Sequence, residues 1–190
     1  MQATVIQKDV MYWPVFSEQD QYWMAQALQQ AQLAQDKGEV PVGAVLVADG
    51  QCIGAGYNAP IHLNDPTAHA EIQAIRHACQ QLQNYRLPEN TTMYVTLEPC
   101  TQCVGALIHA RVQRVVFAAL EPRAGSLVSA RSLMQDGFYN HYFSFTYGCL
   151  AQQSGQVLKD FFKLRRMQKK SAKLLLSKID HAEAENNEKN

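Results

Sequence analysis

Short apolar segments alternate with longer segments of helical periodicity along this chain, and this alternation limits the fold more than any other feature. The apolar segments have the length and composition of β-strands, and they lie at 42–48, 51–57, 92–97, 114–119 and 143–147. The segments with helical spacing begin at Ser17, Thr67, Cys100, Ser129 and about Leu150. Strands that alternate with helices predict an α/β fold of three α/β/α layers, a five-stranded sheet with helices on both faces.

Local signals predict where several of these segments begin and end. Ser17 is expected to cap the first helix, with Asp20 three residues later. Asp49-Gly50 is typical of a hairpin turn between the first two strands. The segments 58–66 and 121–126 are predicted to be loops, 129–135 a short helix, and the last helix is expected to end near residue 170.

The length of 190 residues favours one domain with a continuous core. We expect an N-terminal extension at 1–16, the domain at 17–170, and a polar, disordered C-terminal tail at 171–190. No apolar run approaches the ~18–20 residues of a membrane span, so no membrane partner is expected. The odd number of cysteines, 5, in a chain without a secretory signal favours reduced thiols in the cytoplasm.

The formal net charge is zero, but its distribution is uneven. The segment 159–173 holds seven basic residues and one acid, whereas 180–190 holds four acids and one lysine. Such a basic helix is either a solvated face or a surface that contacts phosphates.

Three short motifs carry the chemistry: His69-Ala70-Glu71, Pro99-Cys100 and Cys103. Cys100 and Cys103 are three apart at a helix start, so their sulfurs share one face. With His69 they supply three zinc ligands and leave the fourth position for water, which is the catalytic rather than the structural arrangement. The metal makes that water acidic, and Glu71, which is not a ligand, can move protons twice in a hydrolytic deamination.

Other interpretations of the cysteine pair are a redox couple or half of a structural zinc site. The redox couple would need a thioredoxin-like setting, and the structural site would need a fourth ligand. The candidates for that fourth ligand are His62, His77 and His109, and isolated histidines of this kind more often lie on the surface or in the core than bind a metal. The combination of His-x-Glu with Pro-Cys-x-x-Cys is the signature of zinc deaminases, so we favour catalytic zinc.

The chain resembles the bacterial tRNA-specific adenosine deaminases of the cytidine/deoxycytidylate deaminase superfamily. The resemblance covers about 17–170 and rests on V-P-V-G-A-V-L-V (40–47), D-P-T-A-H-A-E-I (65–72), N-Y-R-L (84–87), Y-V-T-L-E-P-C-x-x-C (94–103) and D-F-F-K-L-R-R (160–166). It implies a cytidine-deaminase-like fold, one zinc per subunit, a homodimer, and conversion of the wobble adenosine of a tRNA anticodon to inosine, an RNA-editing reaction. The implied partner is the anticodon stem-loop, foremost that of tRNA-Arg.

By matched position, the resemblance implies that His69, Cys100 and Cys103 bind zinc and that Glu71 is the proton shuttle. It implies substrate contacts for Asn58, Ala70, Pro99 and Val42, and makes Lys163, Arg165 and Arg166 candidates for RNA contact.

The chain departs from the family pattern twice. Gln102 stands where the family usually has Met, and the segment 121–126 is shorter than the usual loop at the RNA side of the pocket. Two other functions share some of these features: deamination of a free base or nucleoside such as cytosine or guanine, and RNA binding with a structural zinc. An unligated acid such as Glu71 has no use in the second.

Overall fold

The computed structural model describes the backbone of residues 15–187 and the side chains of residues 15–173. Within this range a five-stranded sheet contains β1 (Gly43–Ala48), β2 (Gln51–Tyr57), β3 (Thr92–Leu97), β4 (Arg114–Ala119) and β5 (Ser144–Tyr147). The helices described are α1 (Glu18–Asp36), α2 (Pro60–Leu63), α3 (Ala70–Leu82), α4 (Thr101–Ala110) and α5 (Ala151–Asn187).

The strands lie in the order β2-β1-β3-β4-β5. The side of the sheet that holds β2, β1 and β3 is antiparallel, because β1 pairs antiparallel with both β2 and β3. The pairs β3–β4 and β4–β5 are parallel. Since β2 and β3 both oppose β1, they run in the same direction and end at the same edge of the sheet.

Side chains from alternate positions of the strands form two apolar layers, as the pleat requires. One layer, which includes Leu46, Val95 and Phe117, packs against α3 and α4. The other, which includes Val45 and Val116, packs against α1, and the first part of α5 contacts β3 and β4. The predicted three-layer α/β/α architecture, with a five-stranded sheet, is therefore confirmed.

Two glycines of β2 allow α3 to lie unusually close to the sheet. A Cβ at Gly56 would be 2.4 Å from the Ala74 nitrogen and 2.5 Å from the Ala70 oxygen, and one at Gly54 would be 2.5 Å from the Ala74 oxygen. A side chain at either position would displace α3. The two glycines thus help to fix where α3 begins relative to the sheet edge.

Most predicted boundaries are confirmed, including the Ser17 cap, whose Oγ accepts the Asp20 N–H at 3.0 Å. The prediction that the second helix starts at Thr67 was wrong. The Asp65 carboxylate accepts both the N–H (2.8 Å) and the hydroxyl (2.6 Å) of Thr67, so that segment forms a turn and α3 begins at Ala70. The predicted loop 58–66 contains α2, whose His62 N–H donates to the buried Glu39 carboxylate.

Two further boundaries differ from prediction. The short helix expected at 129–135 is a single 3₁₀ turn at Leu133–Gln135, because the Leu133 N–H donates to the Ser126 carbonyl and not to the Ser129 carbonyl that an α-helix would use. The last helix does not end near residue 170 but continues to Asn187, through most of the expected disordered tail. That tail lacks Gly and Pro and is rich in Ala, Leu, Lys and Glu, which favour helix.

Most of the predicted N-terminal extension, residues 1–14, lies outside the described range. Phe16 is described and packs against the apolar layer beneath α1. Among the described residues, no helix combines the length and apolar character that crossing a bilayer requires.

Candidate metal centre

Two helix N-termini meet beyond one edge of the sheet. His69 is the N-terminal capping residue of α3 and Cys100 that of α4, and both have extended backbones (ψ 156° and 174°). The two helices follow β2 and β3, which end at this edge, and they pack on the same face of the sheet. The fold therefore brings together two motifs that are separated by 31 positions in the sequence.

The three predicted ligand atoms form a compact triangle. His69 Nδ1 lies 3.6 Å from Cys100 Sγ and 3.5 Å from Cys103 Sγ, and the two sulfurs are 3.7 Å apart. A tetrahedral Zn²⁺ with ordinary bond lengths places two sulfurs about 3.8 Å apart and sulfur and nitrogen about 3.5 Å apart. The triangle is thus one face of a zinc coordination tetrahedron.

Within the described residues, this is the only group of three or more histidine, cysteine or acidic side chains arranged to hold a metal ion. His62, His77 and His109 are exposed and do not belong to it. The chain therefore offers three ligands, as in catalytic zinc sites, and no fourth side chain closes the site in the described range.

The protonation states of the two thiols depend on each other. The hydrogen bond from Cys103, followed by the effect of His69, lowers the pKa of Cys100 to about 4. The hydrogen bond to Cys100 and burial raise the pKa of Cys103 far above its ordinary value, because a second thiolate would repel the first. A divalent cation removes this repulsion and stabilises both thiolates.

Glu71 lies in the first turn of α3 and is only 4% exposed. Burial is the main reason that the pKa of its carboxyl is raised, to about 7. The carboxylate lies close enough to Cys103 for each group to shift the pKa of the other, but it is not part of the ligand group. A buried carboxyl beside a metal site, able to hold or release a proton near neutral pH, is suited to general acid–base catalysis.

Three of the predicted substrate-contact residues lie together at the start of α3. Asn58 Oδ1 accepts the Ala70 N–H at 2.9 Å, and the Asn58 N–H donates to the Val42 carbonyl at 3.0 Å. These bonds occupy the Ala70 N–H and the Val42 oxygen. Within the described range no residue accepts a hydrogen bond from the Asn58 side-chain NH₂. Among Asn58, Ala70 and Val42, this NH₂ is therefore the group that can donate a hydrogen bond to a ligand.

Pro99, the fourth predicted contact residue, is buried and precedes Cys100. Its carbonyl accepts the Ser126 N–H at 2.9 Å. Gln102, a departure from the family pattern, donates from Nε2 to the Thr67 carbonyl at 3.0 Å and so links α4 to the segment before His69. A methionine could not donate this bond.

Sequence reasoning missed Glu98, a buried carboxylate at the end of β3. Burial alone would raise its pKa, but hydrogen bonds from Ser129 and neighbouring backbone lower it on balance. The available signal was an acid between a buried strand and a zinc ligand, where ionised groups need several donors.

The basic candidates are on α5. Lys163, Arg165 and Arg166 are exposed, and none of them forms an ion pair with another described residue. Phe161, next to them, is buried, whereas Phe162 is 44% exposed. Arg165 lines a groove between α5 and the end of α1, beside Gln35. Arg165 therefore has no ion pair with an acid inside the described fold, and such a pair would have given it a purely structural role.

Comparisons with known proteins agree with this site. Residues 17–119 match the model of the cytidine and deoxycytidylate deaminase zinc-binding region, which spans all three ligands and Glu71. The chain is 47% identical to the tRNA-specific adenosine deaminase of Haemophilus influenzae over 87% of its own length and 95% of the relative's.

Solved structures show the same similarity. One, from studies of A-to-I editing by tRNA:A34 deaminases at the wobble position of transfer RNA, is 40% identical with a TM-score of 0.70, covering 72% of this chain and 99% of that one. A guanine deaminase from Bacillus subtilis is 34% identical with a TM-score of 0.51, covering 66% and 73%.

Proposed function

Because the chain belongs to the cytidine and deoxycytidylate deaminase family and, within it, to the tRNA-specific adenosine deaminases, we propose that it converts the wobble adenosine of a tRNA anticodon to inosine by zinc-dependent hydrolysis. The observation that carries the chemistry is the zinc-sized triangle of His69, Cys100 and Cys103 with the buried Glu71 beside it. We assign the deaminase domain to residues 17–170.

We assign one zinc ion per chain to His69, Cys100 and Cys103. When bound, zinc supplies a water whose pKa is low enough for nucleophilic attack near neutral pH. Glu71 would take one proton from the attacking water and deliver it to a ring nitrogen. It would then take a second proton from the hydroxyl group added to the ring carbon and deliver it to the amino group, which leaves as ammonia. The burial that keeps its pKa near 7 makes both transfers accessible to one carboxyl.

The target nucleotide must leave the stack to reach a site at the sheet edge. We assign the Asn58 side-chain NH₂ as a donor to a ring nitrogen of the flipped adenine. Ala70, Pro99 and Val42 form the wall around it, and the Cys100 N–H is a further donor at the metal side. Asn58 is thus both the group that fixes the start of α3 and a base contact.

We assign the phosphates of the anticodon stem-loop, foremost that of tRNA-Arg, to Lys163, Arg165 and Arg166. Their exposure and lack of ion pairs in the described range leave the charges available, and phosphate contacts dominate the affinity of such surfaces.

We further propose that the enzyme is a homodimer. Ile61 and Leu63 of the short helix α2 are 67% and 50% exposed, and large apolar side chains that lie close together on a surface are commonly covered by a partner. Light scattering of the purified protein at micromolar concentration tests this: a mass twice the 21.3 kDa of one chain is expected, and the mass of one chain would contradict it.

The experiment that tests the function offers the zinc-loaded protein an anticodon stem-loop with adenine at the wobble position, beside free adenosine, cytosine and guanine. Inosine should form in the stem-loop at a rate far above the deamination of any free compound. The guanine deaminase likeness makes guanine the most informative competitor. Faster deamination of guanine than of the stem-loop would replace this proposal with a free-base deaminase.

A further inference from the structure

Glu98 holds a segment of the chain that contacts the residues next to the zinc ligand Cys100. We call the edge of the sheet at which His69 and Cys100 lie the metal edge. Its side chain is 3% exposed. Oε1 accepts the N–H groups of Leu127 (3.2 Å), Val128 (2.8 Å) and Ser129 (2.9 Å). Oε2 accepts the Glu121 N–H (3.1 Å) and the Ser129 hydroxyl. In the part of the chain that the structure describes, no lysine or arginine pairs with this carboxylate.

Five donors from one loop, residues 121–129, therefore compensate a buried negative charge. A buried carboxylate is tolerated only when such donors converge on it. The dependence is mutual, because the loop N–H groups would be left without partners if the carboxylate were removed. Glu98 and the loop thus form one unit, which we call the Glu98 clasp.

The Glu98 clasp reaches the metal edge through Ser126, which is fully buried. The Ser126 N–H donates to the Pro99 carbonyl at 2.9 Å, and its hydroxyl lies 2.9 Å from the Thr101 hydroxyl. The peptide bond between Pro99 and Cys100 is trans, so its N–H points opposite to its carbonyl. With the carbonyl held by the loop, the Cys100 N–H faces away from the loop, and it finds no acceptor in the described range.

We propose that Glu98 is a positioning residue for the deamination: through the loop 121–129 it sets the orientation of the Pro99–Cys100 peptide and of the donor beside the zinc ligands. The proposal rests on the proposed function only for the substrate used in the assay. A purely structural role would make Glu98 important for stability and zinc retention alone. The two roles predict different results for variants that stay folded and keep zinc.

Glu98→Gln is the first variant, because it retains shape but replaces one acceptor oxygen by a donor NH₂. If the amide oxygen keeps the three N–H bonds of residues 127–129, the NH₂ group faces the Glu121 N–H and the Ser129 hydroxyl. The matched control is Glu89→Gln, the same change at an exposed residue just before β3, at the sheet edge opposite Cys100.

Gly125→Ala disturbs the same clasp from the loop side. A Cβ at Gly125 would lie 2.3 Å from the Glu98 carboxyl carbon and 2.6 Å from the Glu121 carbonyl oxygen. The alanine side chain must therefore displace the Glu98 carboxylate, but it leaves the carboxylate chemically unchanged. Removing the side chain by Glu98→Ala relieves most of that clash, so the double variant should lose less activity than the sum of the two single variants in free-energy terms.

The test measures zinc content, Tm, kcat and KM on the stem-loop, and hydrogen exchange of the segment 121–129, all on zinc-loaded protein. For Glu98→Gln and Gly125→Ala we expect one zinc per chain and a KM within about threefold of wild type. We expect kcat to fall by about 10- to 100-fold, below the 10²–10³ loss for complete removal of a transition-state donor. Exchange at 126–129 should become faster, and Glu89→Gln should change nothing.

Wild-type kcat in both variants, or a loss of activity that follows loss of zinc, would overturn the proposal. Unchanged exchange at 126–129 in Glu98→Gln would overturn it as well, whatever the substrate. If wild-type protein does not deaminate the stem-loop, the proposed function fails, whereas the exchange measurement still tests the clasp.

Discussion

Replacing Glu71 by Gln should separate zinc binding from proton transfer. The change is nearly isosteric and removes a buried charge, so the fold and Tm should not suffer. The carboxylate lies outside the ligand group, so the zinc content should stay at one per chain. Stem-loop affinity should also be close to wild type, because RNA phosphates are assigned to α5.

The expected loss of turnover follows from the two roles that one carboxyl serves. General acid–base assistance contributes about 10²–10⁴-fold per proton transfer. Glu71 is the one acid that we assign to this site, so the variant loses both the activation of the nucleophile and the protonation of the leaving group. We expect kcat to fall by at least about 10⁴-fold, which corresponds to about 5.5 kcal/mol of transition-state stabilisation.

The assay is single-turnover formation of inosine in the stem-loop, with zinc measured on the same sample and Glu89→Gln as the control for charge removal. A variant that loses its zinc would show that Glu71 is a ligand. A variant with more than about a tenth of wild-type kcat would show that another group moves the protons. Either result refutes the mechanism.

Four other measurements test the structure. Changing both Arg165 and Arg166 to Ala should weaken stem-loop binding and reduce the slope of log Kd against log salt by about 1.4–1.8, the change expected for two lost phosphate contacts; an unchanged slope removes α5 from the RNA site. Asp20→Asn should lower the free energy of unfolding by about 2 kcal/mol at pH 7, because the Asp20 carboxylate binds the half-exposed Arg114 at 2.7 Å and 3.0 Å. Burial raises the pKa of Asp20 but the Arg114 and Tyr94 hydrogen bonds lower it on balance, so this contribution is present above about pH 4 and is lost as the pH falls through the folded pKa; a variant with the wild-type acid dependence of urea unfolding would contradict the assignment. Gln102→Met should release zinc to a chelator up to about fivefold faster, the effect of one exposed hydrogen bond of about 1 kcal/mol, and a slower release would contradict the proposed link between α4 and Thr67.

The sequence by itself determined the element types and the chemistry of the site. The strand segments and the Ser17 cap follow from periodicity and short-range hydrogen bonding, which act over a few residues and leave a local pattern. The residues His69, Cys100, Cys103 and Glu71 were predicted because their types and spacing match what a catalytic zinc requires. These inferences need no knowledge of where distant segments lie.

Only the tertiary structure decided which backbone groups of one segment bind side chains and carbonyls of another, and therefore where some helices begin and end. The expected helix at 129–135 is one 3₁₀ turn because its Leu133 N–H donates to the Ser126 carbonyl, in a loop that the Glu98 carboxylate holds from about thirty positions earlier. The Ala70 N–H is committed to the side chain of Asn58, twelve positions earlier. Such bonds close loops between residues that have no common local pattern, because a carboxylate or amide accepts any donor that the fold brings within reach. The convergence of the two zinc-binding helix starts has the same origin, since it depends on β2 and β3 both opposing β1 and therefore ending at one edge.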